Sequence, residues 1–265
     1  MADPTSIIHP SALVSSDAEL ASGVTVGPYA VIEGPVKIAT GCRVGAHAQI
    51  VGDVEIGENC VIGRAAIIGE DPQDLSFDPT TTSGVRIGRD NTLRELVTVH
   101  RSANEGCHTS VGDGNFLMAG AHLAHDVQMG DHNVLANNVL LAGHVVVGNR
   151  VFLGGGTGVH QFIRIGDYSL TQGNSSITKD VPPYVIAFQR SRFGGLNVVG
   201  LRRAGFSAEV RREIKRAFES LFQSELPLRE AVVETRLAAW GDQARLLVDF
   251  VAEASRKGVM TAKRG

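Results

Sequence analysis

The chain has 265 residues, a formal net charge of −3, 31 glycines and only 5% aromatic residues. This length holds one large unit and a smaller appended one, and the near-neutral charge offers no general attraction for nucleic acid or an anionic membrane. No apolar run approaches the ~18 residues of a membrane span, and the scarcity of aromatics argues against a thick globular core.

The opening MADPTSIIHP lacks the basic and apolar stretches of a secretory leader, so an unprocessed cytoplasmic protein is expected. From Ile8 onward every sixth residue is aliphatic: Ile8, Val14, Leu20, Val26, Ile32, Ile38, Val44, Ile50, Ile56, Ile62 and Ile68. Such a period matches neither the period of about 3.6 of a helix nor the period of about 2 of a strand. It is the signature of a hexapeptide parallel β-helix, in which each unit is one short strand and a turn. Each unit sends one aliphatic side chain into a central prism, small residues fill the turns, and three units close a triangular coil. Residues three units apart therefore stack in adjacent coils, about 4.8 Å from each other.

A polar, proline-containing insertion at 69–84 (GEDPQDLSFDPTTTSG) interrupts the register. The register resumes at Ile87, Leu93 and Val99 and breaks again at 101–110 (RSANEGCHTS). It then runs through Val111, Leu117, Leu123, Met129, Leu135, Leu141, Val147, Leu153, Val159 and Ile165 to Ile177, with one polar member, Thr171. Loops extruded from a regular solenoid add nothing to the coils and are natural places for function. The prolines of Asp180–Tyr184 (DVPPY) are expected to end the coils, because proline cannot donate to a ladder. The reading is an all-β solenoid over 1–185 and a C-terminal helical domain over 186–265. There Ser207 caps a helix running to about Gln223, with Val210, Ile214, Phe218, Leu221 and Phe222 on one face. Pro227 opens a second helix, and a third covers roughly Gln243–Ser255. Residues 200–265 carry 13 Lys+Arg against 9 Asp+Glu, while the remainder is net −7.

All nine histidines lie within the first 160 residues, and coil arithmetic gathers four of them: His122, His125, His144 and His160. His125, Gly143 and Gln161 are separated by 18 and 18, so they stack; His144 follows Gly143 and His160 precedes Gln161. One histidine in a solenoid turn is usually a solvated polar residue, whereas four converging ones point to a site. Asp126, next to His125, can orient or polarise an imidazole that activates a hydroxyl. Asn137, Gly155 and Gly173 form a second column with the same spacing, where absent side chains leave a groove for a slender chain. The alternative is that these glycines merely serve tight turns. Trimeric β-helix carbonic anhydrases hold zinc with a histidine pair spaced by four intervening residues. Here His122 and His125 have two and lack a cysteine or carboxylate shell, so no metal is expected. Cys42, Cys60 and Cys107 also lack ligand spacing and are read as reduced thiols.

The blocks PQDLSF, TVHR, LMAGAHLAHDV, LANNVLLAGHV, GTGVHQF, DVPPYV and NVVGLRRAGFS resemble the acyl-carrier-protein-dependent UDP-N-acetylglucosamine O-acyltransferases that begin lipid A biosynthesis. The resemblance spans essentially the whole chain. It implies a left-handed parallel β-helix assembled as a homotrimer, with sites between neighbouring subunits and the helical tail beside the nucleotide. It also implies transfer of a 3-hydroxyacyl chain from acyl carrier protein to the 3-hydroxyl of UDP-GlcNAc. No cofactor is implied beyond the phosphopantetheine that carries the donor. By this resemblance His125 is the general base, Asp126 orients and tunes it, and the backbone N–H of Gly143 is the oxyanion donor. Gln73, Asp74, His122, His144, His160 and Gln161 would contact the sugar, and Asn197 and Arg203 would hold the uridine diphosphate. Asn137, Gly155 and Gly173 would line the phosphopantetheine and acyl groove, and the basic tail suits an acidic carrier protein. The chain departs from the family pattern at Ser76, where relatives carry lysine, and at Val199 and Ala204 beside the nucleotide. An acetyl-CoA-dependent acetyltransferase, zinc-dependent hydration of carbon dioxide and a purely structural solenoid are the competing readings. The insertions and the histidine patch have no explanation under the last.

Overall fold

The computed structural model describes residues 6–261. Among them, 26 short strands from Ile7–Ile8 to Ser176–Ile177 wind into a parallel β-helix of three sheets. Each strand pairs with the third one after it, and the stacking is residue for residue. His122, Leu140, Gly158 and Ser176 form one outward column; Val134, Phe152 and Leu170 form another. The aliphatic series from Leu20 to Ile177 is sealed inside the prism, no member being more than 4% exposed.

The prism holds a second inward series that the sixfold period conceals. Val24, Ala30, Val36, Cys42, Ala48, Val54, Cys60 and Ala66, each two residues ahead of the first series, are also buried. They sit at the corners, where the Cβ points inward but space is short, so small residues prevail. Cys42 and Cys60 are thus core residues, unlike exposed Cys107. Further along, the same position carries Asn91, Asn115 and Asn133, each side chain receiving the next coil's backbone N–H at 2.8 Å. Thr171, the polar member of the main series, is satisfied by Gly154 N and Thr157 Oγ1.

Both insertions end earlier than the hydrophobic register implies. Gly84–Ile87 is a four-residue strand laid against Asp53–Ile56, and His108–Val111 is a four-residue strand laid against Gly84–Ile87. Gly84 and residues 108–110 therefore belong to the ladder, and the loops close at Ser83 and Cys107. The prolines do not end the coils either. Val181 bridges Ile165, the Tyr184 N–H donates to the Asp167 carbonyl, and Val185–Phe188 runs parallel to Leu170–Thr171. Pro182 and Pro183 occupy a corner, where no ladder donor is needed. Gly166 beneath them lacks the Cβ that would strike Pro183 at 2.5 Å. The solenoid thus continues past residue 185 and closes with an antiparallel strand, Arg192–Leu196.

Four helices follow: α1 Val198–Arg203, α2 Ala208–Phe222, α3 Leu228–Arg236 and α4 Asp242–Ala252. α1 spans only six residues, too few to announce itself by periodicity. Ser207 caps α2 by accepting from the Val210 N–H at 3.2 Å, and Ile214, Ala217, Phe218 and Leu221 form its buried face. Arg164 fastens α4 to the last coils: Nε donates to Asp180 Oδ2 at 2.8 Å, the guanidinium pairs with Glu253 and it lies 4.6 Å from the Phe250 ring centroid. Among the described residues no helix is long and apolar enough to cross a membrane.

Candidate active site

The face built from His122–Leu123, Leu140–Leu141, Gly158–Val159 and Ser176–Ile177 lies between two corners. One corner carries Asn137, Gly155 and Gly173; the other carries His125, Gly143 and Gln161. A cleft of about 690 Å³ opens on this face, walled by Gln73 and Asp74 of the first insertion, by His122 and His160, and by the His125–Gly143–Gln161 column. Leu140, 51% exposed, offers an apolar patch at its floor.

The stacking of the second corner is tight. A Cβ on Gly143 would lie 2.6 Å from His125 Cε1 and Nε2, so the imidazole covers this glycine. Gly143 is buried, and its N–H meets no acceptor among the described residues. The N–H groups of His125, Asn137 and Gly155 at the same turn position also lack a backbone partner, so the corner geometry leaves them free, and that of Gly143 is available to a group lying in the cleft. One residue further round the corner, Asp126, His144 and Phe162 adopt φ of 60°, 60° and 66°, the left-handed turn the corner demands. The turn aims their side chains outward. His144 packs edge-on to His125 at 5.2 Å and face-on to Phe162 at 4.6 Å, and Arg256 of the C-terminal segment lies 4.6 Å over the other face of Phe162.

His125 Nδ1 lies 2.8 Å from Asp126 Oδ2, so Nδ1–H donates to the carboxylate and Nε2 is the ring nitrogen left facing away from Asp126. Asp126 is 8% exposed and heavily solvated by the protein. Ser102 Oγ and Asn104 Nδ2 donate to Oδ1, and the Ala103 N–H donates to Oδ2. Burial alone raises an aspartate, but the donors Ser102, His125, Asn104 and Ala103 outweigh it and hold the carboxyl below its ordinary value. Burial pushes His122 down to about 4, with the charge of His100 adding to the shift, and its Nδ1 pairs with Thr98 Oγ1 at 2.7 Å. His144 is also lowered, first by burial. Burial thus favours the neutral forms of His122 and His144, near the ionised carboxylate of Asp126.

The other sequence candidates are placed differently. Gly155 and Gly173 are not left-handed, so turn geometry does not account for them. What does is the close approach of the preceding coil: a Cβ would meet the Asn137 carbonyl at 3.2 Å and the Gly155 carbonyl at 3.1 Å. Their column borders the cleft face on its opposite edge. Asn197 and Arg203 lie away from the cleft. Asn197 Oδ1 caps α1 by accepting from the Gly200 N–H and its Nδ2 donates to the Tyr168 carbonyl, while Arg203 is exposed in the last turn. Ser102, Asn104, Phe162 and Arg256 were not singled out from the sequence. For the first two the signal was the insertion itself; for Arg256 there was none.

His125, Asp126 and His144 bring potential ligand atoms within 4.8 Å of one another. A cation there would have to displace donors that already occupy both Asp126 oxygens, so the arrangement favours a hydrogen-bonded dyad. A larger concavity, about 1160 Å³, runs along another face. Three of its charged side chains, Lys37, Glu55 and Arg86, are engaged in Lys37–Glu55, Arg86–Asp53 and Arg86–Glu55 pairs and no histidine lines it, so the smaller cleft is the candidate site.

A family profile described as Udp N-acetylglucosamine O-acyltransferase, Domain 2, matches residues 180–260, and hexapeptide repeats of bacterial transferases match 17–50 and 108–143. An acyl-[acyl-carrier-protein]–UDP-N-acetylglucosamine O-acyltransferase of Paraburkholderia phymatum is 46% identical over 260 residues, covering 96% of this chain and 98% of the relative. The protein of that name from Neisseria gonorrhoeae is 48% identical over 254 residues, covering 94% and 98%. The chain belongs to this acyltransferase family. The solved UDP-N-acetylglucosamine acyltransferase of Campylobacter jejuni superposes with a TM-score of 0.90 at 33% identity, covering 97% of this chain and all of that one. The acyltransferase coils are accordingly a left-handed parallel β-helix of hexapeptide repeats, followed by the helical C-terminal region.

Proposed function

We propose that this O-acyltransferase moves a 3-hydroxyacyl chain from acyl carrier protein to the 3-hydroxyl of UDP-N-acetylglucosamine, the first step of lipid A biosynthesis, in the cytoplasm. The observation that carries the reading is the His125–Asp126 dyad set directly over Gly143. With Nδ1–H committed to Asp126, Nε2 takes the proton from the sugar hydroxyl as the oxygen attacks the thioester carbonyl. Asp126 offsets the imidazolium that forms. The free N–H of Gly143 receives the developing oxyanion, and collapse of the tetrahedral intermediate expels the phosphopantetheine thiolate, which recovers the proton from His125.

Gln73, Asp74, His122, His160 and Gln161 line the cleft and are assigned to the sugar, with His144 bracing the base from outside it. Asn197 and Arg203 are assigned to the uridine diphosphate of a neighbouring subunit's site, because they lie apart from their own chain's cleft. The Asn137–Gly155–Gly173 edge is assigned to the phosphopantetheine and acyl chain. No cofactor enters beyond that donor arm. A cleft open along one prism face gives a hydroxyl, a thioester and an acyl chain a single wall, which supports a homotrimer with sites between subunits. The test is mass spectrometry of the product formed from UDP-GlcNAc with a panel of acylated carrier proteins, alongside sedimentation. A product lacking an O-linked acyl chain would refute the reaction, and an active monomer would refute the shared site.

A further inference from the structure

The two insertions come together at one short segment, His100–Asn104. On one side this segment grips the first insertion. Arg101, with a side chain 13% exposed, is the hub. Its Nε donates to Asp71 Oδ1 at 2.8 Å, its guanidinium donates to the carbonyls of Thr81 and Pro79 and to Ser83 Oγ, and it lies 4.8 Å from the Phe77 ring centroid. The Arg101 N–H holds the Glu70 carbonyl, and His100 Nδ1–H donates to the Asp71 carbonyl at 2.6 Å. These bonds enclose the exposed tip where Gln73 and Asp74 face the cleft. On the other side the same segment holds the dyad: Ser102, Ala103 and Asn104 supply three of the donors to Asp126. Ser83 Oγ donates to the Ser102 carbonyl, tying the halves together.

We propose that His100–Asn104 is a positioning strap that registers the substrate-facing loop against the catalytic dyad, with Arg101 setting the loop and Ser102 and Asn104 setting Asp126. The inference rests on the proposed sugar-acylating reading. Arg101 suits its half because a planar fork of donors satisfies several acceptors at fixed angles while its face covers an aromatic ring; a lysine brings the charge without the fork. Ser102 and Asn104 suit theirs because neutral donors hold an ionised carboxylate in one orientation without adding charge. None of the three touches the reacting atoms.

The two halves make opposite kinetic demands. Arg101→Ala loosens the acceptor side, so KM for UDP-GlcNAc should rise about tenfold or more while kcat changes by less than about threefold. Asn104→Ala, at an exposed residue whose loss leaves the coils intact, should lower kcat about tenfold with KM unchanged. Arg101→Lys should recover only part of the loss. Equal effects of Arg101→Ala and Asn104→Ala on both constants, no effect of either, or full recovery by Arg101→Lys would each overturn the strap. Hydrogen exchange supplies a readout independent of turnover. Loss of protection confined to 69–83 in Arg101→Ala, and absent in Asn104→Ala, supports the strap even if UDP-GlcNAc is not acylated by the wild type. Unchanged protection there overturns it.

Discussion

Replacing Gly143 with alanine isolates the placement of the base from its chemistry. Gly143 does not have a positive φ, so alanine fits the backbone, and the N–H assigned to the oxyanion is retained. The added Cβ would sit 2.6 Å from both Cε1 and Nε2 of His125, against 3.4–4 Å for ordinary contact. The ring must therefore withdraw by about 1 Å, a displacement that costs about 10²-fold when it separates reacting groups. The imidazole is pinned to Asp126 and backed by His144, so it cannot swing away freely. Overfilling a packed site costs about 1–3 kcal/mol of stability, and the open cleft on one side should keep the loss at the low end. Steady-state kinetics with UDP-GlcNAc and an acylated carrier protein, with thermal melts as control, provide the assay. The expected result is kcat down about 100-fold, KM within a few-fold and a Tm close to wild type. A variant retaining more than about a tenth of wild-type kcat would refute the claim that the ring covering Gly143 is the base in its working position.

Other substitutions probe the remaining assignments. His125→Ala should lower kcat by about 10²–10⁴-fold with the fold intact, and Asp126→Asn should cost less; the reverse order would remove His125 from the role of base. Gly173→Met should depress transfer of long acyl chains more than short ones in a donor-length series. Because a Cβ there already meets the Gly155 carbonyl at 3.1 Å, some loss of Tm should accompany it. Equal loss at all lengths would take Gly173 out of the groove. His122, held down to about 4 by burial, stays neutral in the folded chain while the unfolded chain takes up a proton near pH 6.5. Its contribution to stability is therefore lost as pH falls from about 6.5 to 4, by at most about 3 kcal/mol and less for a part-exposed ring. The Tm of His122→Asn should then fall less than that of wild type between pH 7 and 4.5, and an identical fall would contradict the assignment.

The solenoid was legible because its period is enforced by a prism that admits one kind of side chain at one kind of position. The same arithmetic stacked His125 on Gly143 before any coordinates, since a ladder without slippage converts spacing into contact. What escaped the sequence follows from the same cause. Cys42, Cys60 and the Asn91–Asn115–Asn133 ladder fill the second inward position, which tolerates many small residues and so carries no periodic signal. The prolines at 182 and 183 misled because their missing donors matter within a strand and not at a corner. Ser102 and Asn104 reach Asp126 across an insertion whose path no repeat dictates. Arg256 arrives over Phe162 from the far end of the chain, held by the pairing of Asp180 with Val259.

The division of labour in the cleft follows from how the corner treats charge. In the proposed reaction thioester and hydroxyl enter neutral, and a cation and an anion appear together as the proton moves. In the proposed mechanism Asp126, kept ionised by its donors, would answer the cation on His125, while the N–H of Gly143 would answer the anion one coil away. A protonated His144 would spoil this balance, because its Nε2 lies 3.8 Å from Asp126 Oδ2 and would compete for that carboxylate. Burial keeps His122 and His144 neutral, leaving them as hydrogen-bonding partners only. A rigid ladder therefore does what a flexible loop would do poorly. It fixes the proposed base and oxyanion donor one coil apart, and it leaves the polar insertions, tied together through Arg101 and Ser102, free to present the proposed acceptor.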